Sequence, residues 1–318
     1  MRAALVEQYG QPPSVKESPD PPLDGDRGLL VEVTAAGLNP VDVSIASGKF
    51  YAGSPKVPYV PGEEGVGRVL KGGKISPGTR VYFQSVRGHG SLAERALAQP
   101  EAAVELPQDV SDELAVCFGI AGVAAWLGLE WRARLQKGEC VLVLGASGVL
   151  GMIAVQAARL LGAGRVVAAA RDKERLERVK QLGADSTVDL GSSDGLVEAI
   201  KQACDGGPDV IIDPLWGAPA AAALQAARPH ARLVQIGQSA GAEISLASAW
   251  VRGKMVAILG HTNYLAPAEV RNAAYRAMVE HAAAGRLTAD METIPLDQVK
   301  EAWQRQTRSP HRKLVLCP

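Results

Sequence analysis

The sequence predicts a two-part α/β fold, in which a mainly β part precedes a doubly wound parallel sheet. The first hundred residues alternate short β-rich runs with turns such as Pro61-Gly62 and Pro77-Gly78. From about residue 112, Ala- and Leu-rich helical segments alternate with brief apolar strands, which is typical of βαβ units. The chain has 318 residues, more than one hydrophobic core usually organises, so two domains are expected.

The individual elements follow from these periodicities. The β-rich runs of the first part lie at residues 3–7, 28–36, 65–70 and 80–84. Strands of the parallel sheet are expected at residues 140–144, 165–169, 187–190, 209–213, 232–236 and 255–259. The tail predicts helix 267–284, strand 292–295, helix 297–308 and strand 313–317. Because this tail is too small to fold alone, we expect domain segments 1–116, 117–259 and 260–318, the last completing the first.

Composition and charge exclude several classes of protein. Lys plus Arg equals Asp plus Glu, 34 against 34, so no net field attracts nucleic acid or anionic membranes. The apolar segments 114–129 and 141–158 suit a buried helix and a strand-turn-helix better than a membrane span. The N-terminus reaches Glu7 and Gln8 without the apolar stretch of a signal peptide, so a cytoplasmic location is expected. The four Cys and five His are scattered, so no metal site is expected.

A glycine-rich turn at residues 145–151 is the most informative segment. It follows a buried strand and opens a helix, with Gly145, Gly148 and Gly151 at its corners. Glycine permits the sharp turn, the approach of a pyrophosphate and the packing of helix on strand, while the helix N-terminus faces the phosphate charge. We expect a dinucleotide on the whole turn, which also contains Ala146, Ser147, Val149 and Leu150. An S-adenosylmethionine-dependent methyltransferase is the alternative.

The end of the second parallel strand indicates which dinucleotide binds. NAD-preferring proteins usually carry an acidic residue there, whereas this chain has Ala170 followed by Arg171. An uncharged alanine beside a guanidinium favours a 2′-phosphate, and Lys173 adds a second positive charge. NADPH is therefore the expected cofactor. The alternative is that Arg171, Lys173 and Arg175 only decorate an exposed helix start.

Several motifs resemble those of the zinc-independent quinone oxidoreductases in the medium-chain dehydrogenase/reductase superfamily. They are residues 35–42 (AAGLNPVD), 61–67 (PGEEGVG), 90–94 (GSLAE), 180–185 (KQLGAD) and 311–316 (HRKLVL), together with the glycine turn. The resemblance spans essentially the whole chain in the family's order. It implies a GroES-like catalytic domain and a Rossmann cofactor domain.

The resemblance also implies chemistry without a metal. Zinc-dependent members of the superfamily have a cysteine where Asn39 stands and a histidine where Glu63 stands. An NADPH-dependent enzyme lacking such a Lewis acid is suited to hydride transfer to an electron-poor carbon, as in a quinone or an α,β-unsaturated carbonyl compound. Two alternatives remain open: zinc-free ketone or alcohol redox chemistry, and an NADPH-binding module with little turnover.

Candidate site residues are carried over from the family position by position. The resemblance places Asn39, Tyr51 and Tyr264 as catalytic candidates, and Asn39 also near the nicotinamide. A turn-forming Asn and surface tyrosines are the competing interpretations. Further cofactor contacts are expected from Ile236, Gly237 and Ser239, and pocket walls from Phe50, Tyr51, Trp126, Asn263 and Tyr264. Residues 50–51 depart from the family's spacing by one position, and Ala124 replaces a common threonine.

The sequence also suggests how two copies of the chain would associate. The apolar strand at 255–259 is placed at the edge of the parallel sheet, where unpaired backbone groups need a partner. The resemblance implies that this strand pairs with its copy in a homodimer.

Overall fold

The computed structural model describes residues 1–23 and 28–318. The strands are β1 (Arg2–Leu5), β2 (Ser14–Glu17), β3 (Leu29–Leu38), β4 (Glu64–Lys71), β5 (Arg80–Ser85), β6 (Arg95–Glu105), β7 (Cys140–Leu144), β8 (Arg165–Ala170), β9 (Ser186–Asp189), β10 (Val210–Asp213), β11 (Arg232–Gln235), β12 (Ala257–Gly260), β13 (Met291–Pro295) and β14 (Lys313–Cys317). The α-helices are α1 (Pro40–Ala46), α2 (Asp112–Cys117), α3 (Val123–Leu127), α4 (Val149–Leu160), α5 (Lys173–Gln181), α6 (Leu196–Ala203), α7 (Gly217–Ala226), α8 (Ser248–Lys254), α9 (Ala268–Ala283) and α10 (Val299–Gln306). Short π-turns lie at Phe118–Gly122 and Gly128–Arg132, and 3₁₀ turns at Asn263–Leu265 and Leu296–Gln298.

The chain divides into two compact units. The first unit comprises Met1–Ile120 and Pro267–Pro318, and the second comprises Ala121–Ala266. The predicted boundaries at residues 116 and 259 stay a proposal about where each domain begins and ends.

The first unit is built on a mainly antiparallel sheet in the order β13-β14-β3-β4-β5-β6, in which only the β13–β14 pair of the named strands is parallel. An additional β3–β6 pairing closes four of the strands. The C-terminal strand β14 pairs with β3, Leu314 opposite Leu38. The first unit therefore needs both ends of the chain. Its core is formed by the buried faces of these strands with α10, whose Trp303 is 4% exposed.

The second unit is a six-stranded parallel sheet in the order β12-β11-β10-β7-β8-β9. All five residues of β7 are buried, as expected for a central strand covered by helices on both faces. The six predicted strands are confirmed, with ends displaced by up to two residues. Carboxyl ends of parallel strands share one edge, so the turns after β7, β8, β10, β11 and β12 gather there. The α/β fold class with its two predicted parts is confirmed.

In the described part of the chain, one helical stretch is long and apolar enough to be considered a membrane span. It runs from Asp112 to Arg132, and 72% of its most apolar window is buried inside the structure. A buried core helix passes the same test of length and composition, so this is weak evidence for a span.

Candidate functional site

The glycine turn has a different backbone requirement at each of its three glycines. Gly145 has φ +64, a left-handed conformation that side chains disfavour. Gly148 precedes α4 in an extended conformation, and an added Cβ would meet nothing closer than the Gly145 carbonyl oxygen at 3.5 Å. At Gly151 an added Cβ would clash with the backbone of Gly145 and Ala146. The backbone conformation at Gly145 and the close packing at Gly151 therefore require glycine, whereas Gly148 leaves space at the helix N-terminus.

The residues of the turn fall into a buried and a more accessible group. Ala146 and Ser147 are 0% and 5% exposed. Gly148, Val149 and Leu150 are partly exposed at the start of a 12-residue helix. The first backbone N–H groups of such a helix lack partners within it and attract an anion. The turn can thus hold a phosphate group.

A positively charged residue follows β8, the strand that lies beside β7 in the parallel sheet. Ala170 is 2% exposed and Arg171 is exposed. Within residues 1–23 and 28–318, no hydrogen bond or ion pair engages the Arg171 guanidinium. Lys173 instead lies 3.2 Å from Asp189 (Nζ to Oδ2). Of the two predicted phosphate ligands, Arg171 is the one available in this structure.

A residue that sequence reasoning missed closes the turn after β10. Asp213 is fully buried, and its Oδ1 accepts hydrogen bonds from the backbone N–H groups of Leu215 and Trp216, both at 2.9 Å. Burial raises the pKa of this carboxyl to about 6. The bonds hold Trp216 at φ 57 and ψ −159, a conformation normally confined to glycine. An Asp at the end of a buried strand was the available signal.

The segment after β11 lies against the same turn. Ile236 donates from its backbone N–H to the Asp213 carbonyl oxygen at 2.8 Å, and Ser239 donates to that of Pro214 through both its N–H and its hydroxyl. An added Cβ on Gly237 would lie 2.8 Å from the Pro214 oxygen. The structure therefore brings Ile236, Gly237 and Ser239 together beside the strand that carries Asp213.

The segment after β12 contains a buried histidine. His261 is 9% exposed, and its Nε2 lies 3.0 Å from Asn263 Oδ1. Burial lowers the pKa of His261. Tyr264 is 41% exposed, whereas Trp126 is buried and donates from Nε1 to Glu130 Oε2 at 2.9 Å. These two candidate pocket residues therefore differ in accessibility within the second unit.

The first unit contains a buried polar cluster around Asn39. Its amide nitrogen donates to Glu64 Oε1 at 2.8 Å and to the Gly37 carbonyl oxygen at 3.0 Å, while Oδ1 accepts from Lys313 Nζ at 2.6 Å. Glu64 and Lys313 form an ion pair at 2.6 Å. Glu64 belongs to the 61–67 motif and Lys313 to the 311–316 motif, but neither was predicted as a site residue.

Asp42 joins the two N-terminal motifs. Its carboxylate accepts from the backbone N–H groups of Asn39 at 2.8 Å and Glu63 at 2.9 Å. Burial, and then the negative charge of Glu63, raises the pKa of Asp42 to about 7. Tyr59 and Asp42 line a small cavity, and the Tyr59 hydroxyl has no hydrogen-bond partner among the described residues.

Phe50 and Tyr51 lie together at the surface of the first unit. Their ring centroids are 4.5 Å apart, and the Arg87 guanidinium lies 5.5 Å from the Phe50 ring centroid. Tyr51 is 77% exposed. Its side chain is therefore largely exposed to solvent.

No group of three or more His, Cys, Asp or Glu side chains that could hold a metal ion is present in the part of the chain that the structure describes. Asn39 and Glu63 occupy the positions at which zinc-dependent relatives are expected to carry ligands. In this chain the Asn39 side chain bonds to Glu64 and Lys313, and Glu63 lies 3.5 Å from Arg87 (Oε2 to Nη2).

Two family models match the chain. Residues 25–108 match the alcohol dehydrogenase GroES-like domain, and residues 149–280 match the model described as zinc-binding dehydrogenase. The quinone oxidoreductase of Homo sapiens is 31% identical over 251 residues, which cover 77% of this chain and 75% of that protein. That of Pongo abelii is 34% identical over 221 residues, 68% of this chain and 66% of its own length.

Solved structures show the same fold along the whole chain. A structure described as an NAD-dependent alcohol dehydrogenase has a TM-score of 0.90 at 25% identity, covering 100% of both chains. A mycobacterial protein complexed with NADPH has a TM-score of 0.88 at 23% identity, also over 100% of both chains.

A GroES-like unit and a Rossmann unit in one chain define a medium-chain dehydrogenase/reductase. Within that superfamily, the chain belongs to the quinone oxidoreductase family. It spans 60% and 66% of the length of the first two curated relatives that it matches.

Proposed function

We propose that the protein is an NADPH-dependent oxidoreductase that transfers hydride, without zinc, to a quinone or an α,β-unsaturated carbonyl compound. The observation that carries this proposal is the glycine turn, whose Gly148 leaves room for a phosphate at the N-terminus of α4. A methyltransferase could share such a turn, but membership of the quinone oxidoreductase family favours a nicotinamide cofactor.

The preference for NADPH over NADH is supported by charge. Arg171 directly follows Ala170 and presents a guanidinium that no described residue engages, and Lys173 lies two residues on. Asp189, at the end of β9, lies 3.2 Å from Lys173 (Oδ2 to Nζ), and its ionised form is stabilised by the Gly191 N–H and then by Lys173. A 2′-phosphate would therefore meet Arg171 first, with Lys173 partly neutralised by Asp189.

Bound NADPH supplies hydride, and the protein's own groups would position the acceptor and stabilise the oxygen that becomes negative. We assign the cofactor to the turn residues 145–151, Arg171, Lys173 and the segment containing Ile236, Gly237 and Ser239. Candidate donors to the developing oxyanion are Asn39, Tyr51 and Tyr264. Phe50, Trp126 and Asn263 are proposed to wall the pocket.

The proposal is tested by mixing the purified protein with NADPH and a panel of quinones, enones, enals and ketones, and following loss of the reduced nicotinamide absorbance. We expect oxidation with quinones or enones, and a product that keeps its carbonyl group when an enone is reduced. A secondary-alcohol product would instead support zinc-free ketone reduction. Tight NADPH binding without turnover on any acceptor would support the binding-module alternative.

We also propose a homodimer formed through β12. Among the described residues this strand pairs with β11 alone, and Ile258 on it is 37% exposed. A second copy would satisfy the open backbone groups of this edge. A cytoplasmic location is proposed as well, since Cys117, Cys140, Cys204 and Cys317 are free thiols, as is usual in a reducing compartment.

A further inference from the structure

Three buried polar side chains from distant parts of the chain meet inside the first unit. Asn39 precedes α1, Glu64 begins β4 and Lys313 begins β14, and their exposures are 3%, 0% and 2%. Lys313 Nζ donates to Glu64 Oε1 and to Asn39 Oδ1, both at 2.6 Å. Removing an ion pair from water is costly, and an apolar pair of similar volume often stabilises a fold at least as much as the ion pair does. Stability alone is therefore a weak reason for this arrangement.

Two glycines provide the space that the ion pair occupies. An added Cβ on Gly37 would lie 2.7 Å from Lys313 Cε and 2.8 Å from Glu64 Oε1. An added Cβ on Gly119 would clash with Glu64 Oε2. Neither glycine has a positive φ, and at both positions the charged groups occupy the space that a Cβ would take. The backbone on both sides of the pair is thus fitted to the charged groups.

Each carboxylate oxygen of Glu64 accepts two hydrogen bonds from described residues. Oε1 accepts from Lys313 and from Asn39, and Oε2 accepts from the Ile120 N–H at 2.5 Å and the Tyr82 hydroxyl at 3.1 Å. A carboxylate held by four donors has little freedom to rotate. It therefore fixes the Asn39 amide that bonds to it.

The contacts also determine which way the Asn39 amide faces. Its oxygen faces an ammonium group and its nitrogen faces a carboxylate. In a flipped amide, two acceptors would face each other on one side and two donors on the other. One N–H bonds to a charged group, Glu64, and the other to a neutral group, the Gly37 carbonyl. Bonds to charged groups are stronger, so the bond to Gly37 is the one that can be exchanged.

We propose that Lys313 and Glu64 are positioning residues that hold the Asn39 amide, so that its N–H on the Gly37 carbonyl can be offered to the substrate oxygen as negative charge develops. This inference rests on the proposed function and assigns Asn39 the donor role within it. The ion pair acts on turnover through Asn39 and does not itself touch the substrate.

The test removes both charges together, because removing one would leave the other buried and unpaired. In the double variant Glu64→Gln/Lys313→Met, kcat with the best acceptor should fall between about 100- and 1,000-fold, the scale of one lost oxyanion donor. KM for NADPH should change by less than about twofold, because the glycine turn is untouched. Asn39→Ala should lower kcat similarly, and combining it with the double variant should add little further loss.

The matched control is Glu292→Gln/Arg305→Met, which removes a partly exposed ion pair of the same unit, with bonds of 2.8 and 2.6 Å. It should leave kcat unchanged. Should the buried double variant not fold, Tyr82→Phe tests the same point, since it removes one restraint on Glu64 and no charge. That variant should lower kcat about two- to fivefold with KM for NADPH constant.

Unchanged kcat in the folded double variant, or losses that simply multiply with that of Asn39→Ala, would overturn the positioning role while leaving the proposed function intact. A wild-type protein that fails to oxidise NADPH with every acceptor of the panel would overturn both the positioning role and the proposed function.

Discussion

At the scale of single residues, the candidate residues of the two units differ in which of their hydrogen-bonding groups are already engaged within the protein. Asn39 uses both amide hydrogens and its oxygen within the protein, whereas Arg171 is exposed and engages none of the described residues. A residue with an unpaired charge is ready for a ligand, while a bonded one must exchange a partner. Substitutions at these two positions should therefore affect binding and turnover differently.

Arg171→Ala should reduce kcat/KM for NADPH by roughly 10- to 100-fold, because a charged hydrogen bond to phosphate is lost. The value for NADH, which has no 2′-phosphate, should change less than about threefold. Initial rates with each cofactor at a saturating acceptor measure this preference. Lys180→Ala, near the other end of α5, is the control and should leave the preference unaltered; an unaltered preference in Arg171→Ala would make that arginine a surface residue only.

The buried carboxyl of Asp213 leads to a prediction about how the free energy of unfolding depends on pH. Burial raises its pKa from 3.8 to about 6, so between these values the folded protein holds a proton that the unfolded chain has released. Its contribution to stability is therefore greatest at acid pH and is lost as pH rises through about 6. Asp213→Asn keeps an oxygen for Leu215 and Trp216 and cannot ionise. Its free energy of unfolding relative to wild type should rise by roughly 1–3 kcal/mol from about pH 4 to about pH 7.

Denaturant unfolding of both proteins at several pH values measures this difference. Asp189→Asn is a control of opposite sign, because hydrogen bonding from Gly191, and then Lys173, lowers the pKa of that carboxyl. Its deficit relative to wild type should be present at neutral pH and disappear in acid. A difference between Asp213→Asn and wild type that does not vary with pH would mean that Asp213 stays ionised in the folded protein.

At the scale of elements, the strand-turn-helix of β7 and α4 combines a structural role at one glycine with a proposed binding role at another. Gly151→Ala forces a Cβ into the backbone of Gly145 and Ala146, so we expect a loss of roughly 1–3 kcal/mol of stability. Gly148→Ala meets no close atom of the protein, so stability should be unchanged within about 0.5 kcal/mol. The Kd for NADPH should nevertheless rise about tenfold or more, because the methyl group stands where the phosphate approaches.

Thermal unfolding and NADPH titration of the two variants separate these roles. Equal affinity in Gly148→Ala and wild type would place the phosphate elsewhere.

One long strand was missed at this scale. β6 runs from Arg95 to Glu105 and pairs with both β3 and β5. Its sequence is rich in Ala and Glu and contains Pro100, all disfavoured in strands, so local preference argues against it. Closure of the sheet by β3 and β5 decides the conformation, and no local pattern encodes that closure.

At the scale of the whole molecule, the edge of the parallel sheet carries the prediction about assembly. Ile258→Lys places a charge on β12 and should convert a dimer into a monomer. Sedimentation velocity at micromolar concentration measures the mass. Leu70→Lys is the control, because Leu70 is exposed to nearly the same extent, 38% against 37%, but lies on β4. A monomeric wild type would overturn the dimer.

The sequence alone determined the α/β class, the six parallel strands and the glycine turn, because each depends on a local period or on residues adjacent in the chain. The resemblance to the family depended on motifs of the same local kind. Tertiary structure alone decided that Lys313, Glu64 and Asn39 share one buried cluster, and that Asp213 holds Trp216 in a glycine-like conformation. Lys313 lies 249 residues from Glu64, and a hydrogen bond across that separation exists only once β14 has paired with β3. Local patterns record which surface of an element is buried, but not which side chain from elsewhere it meets.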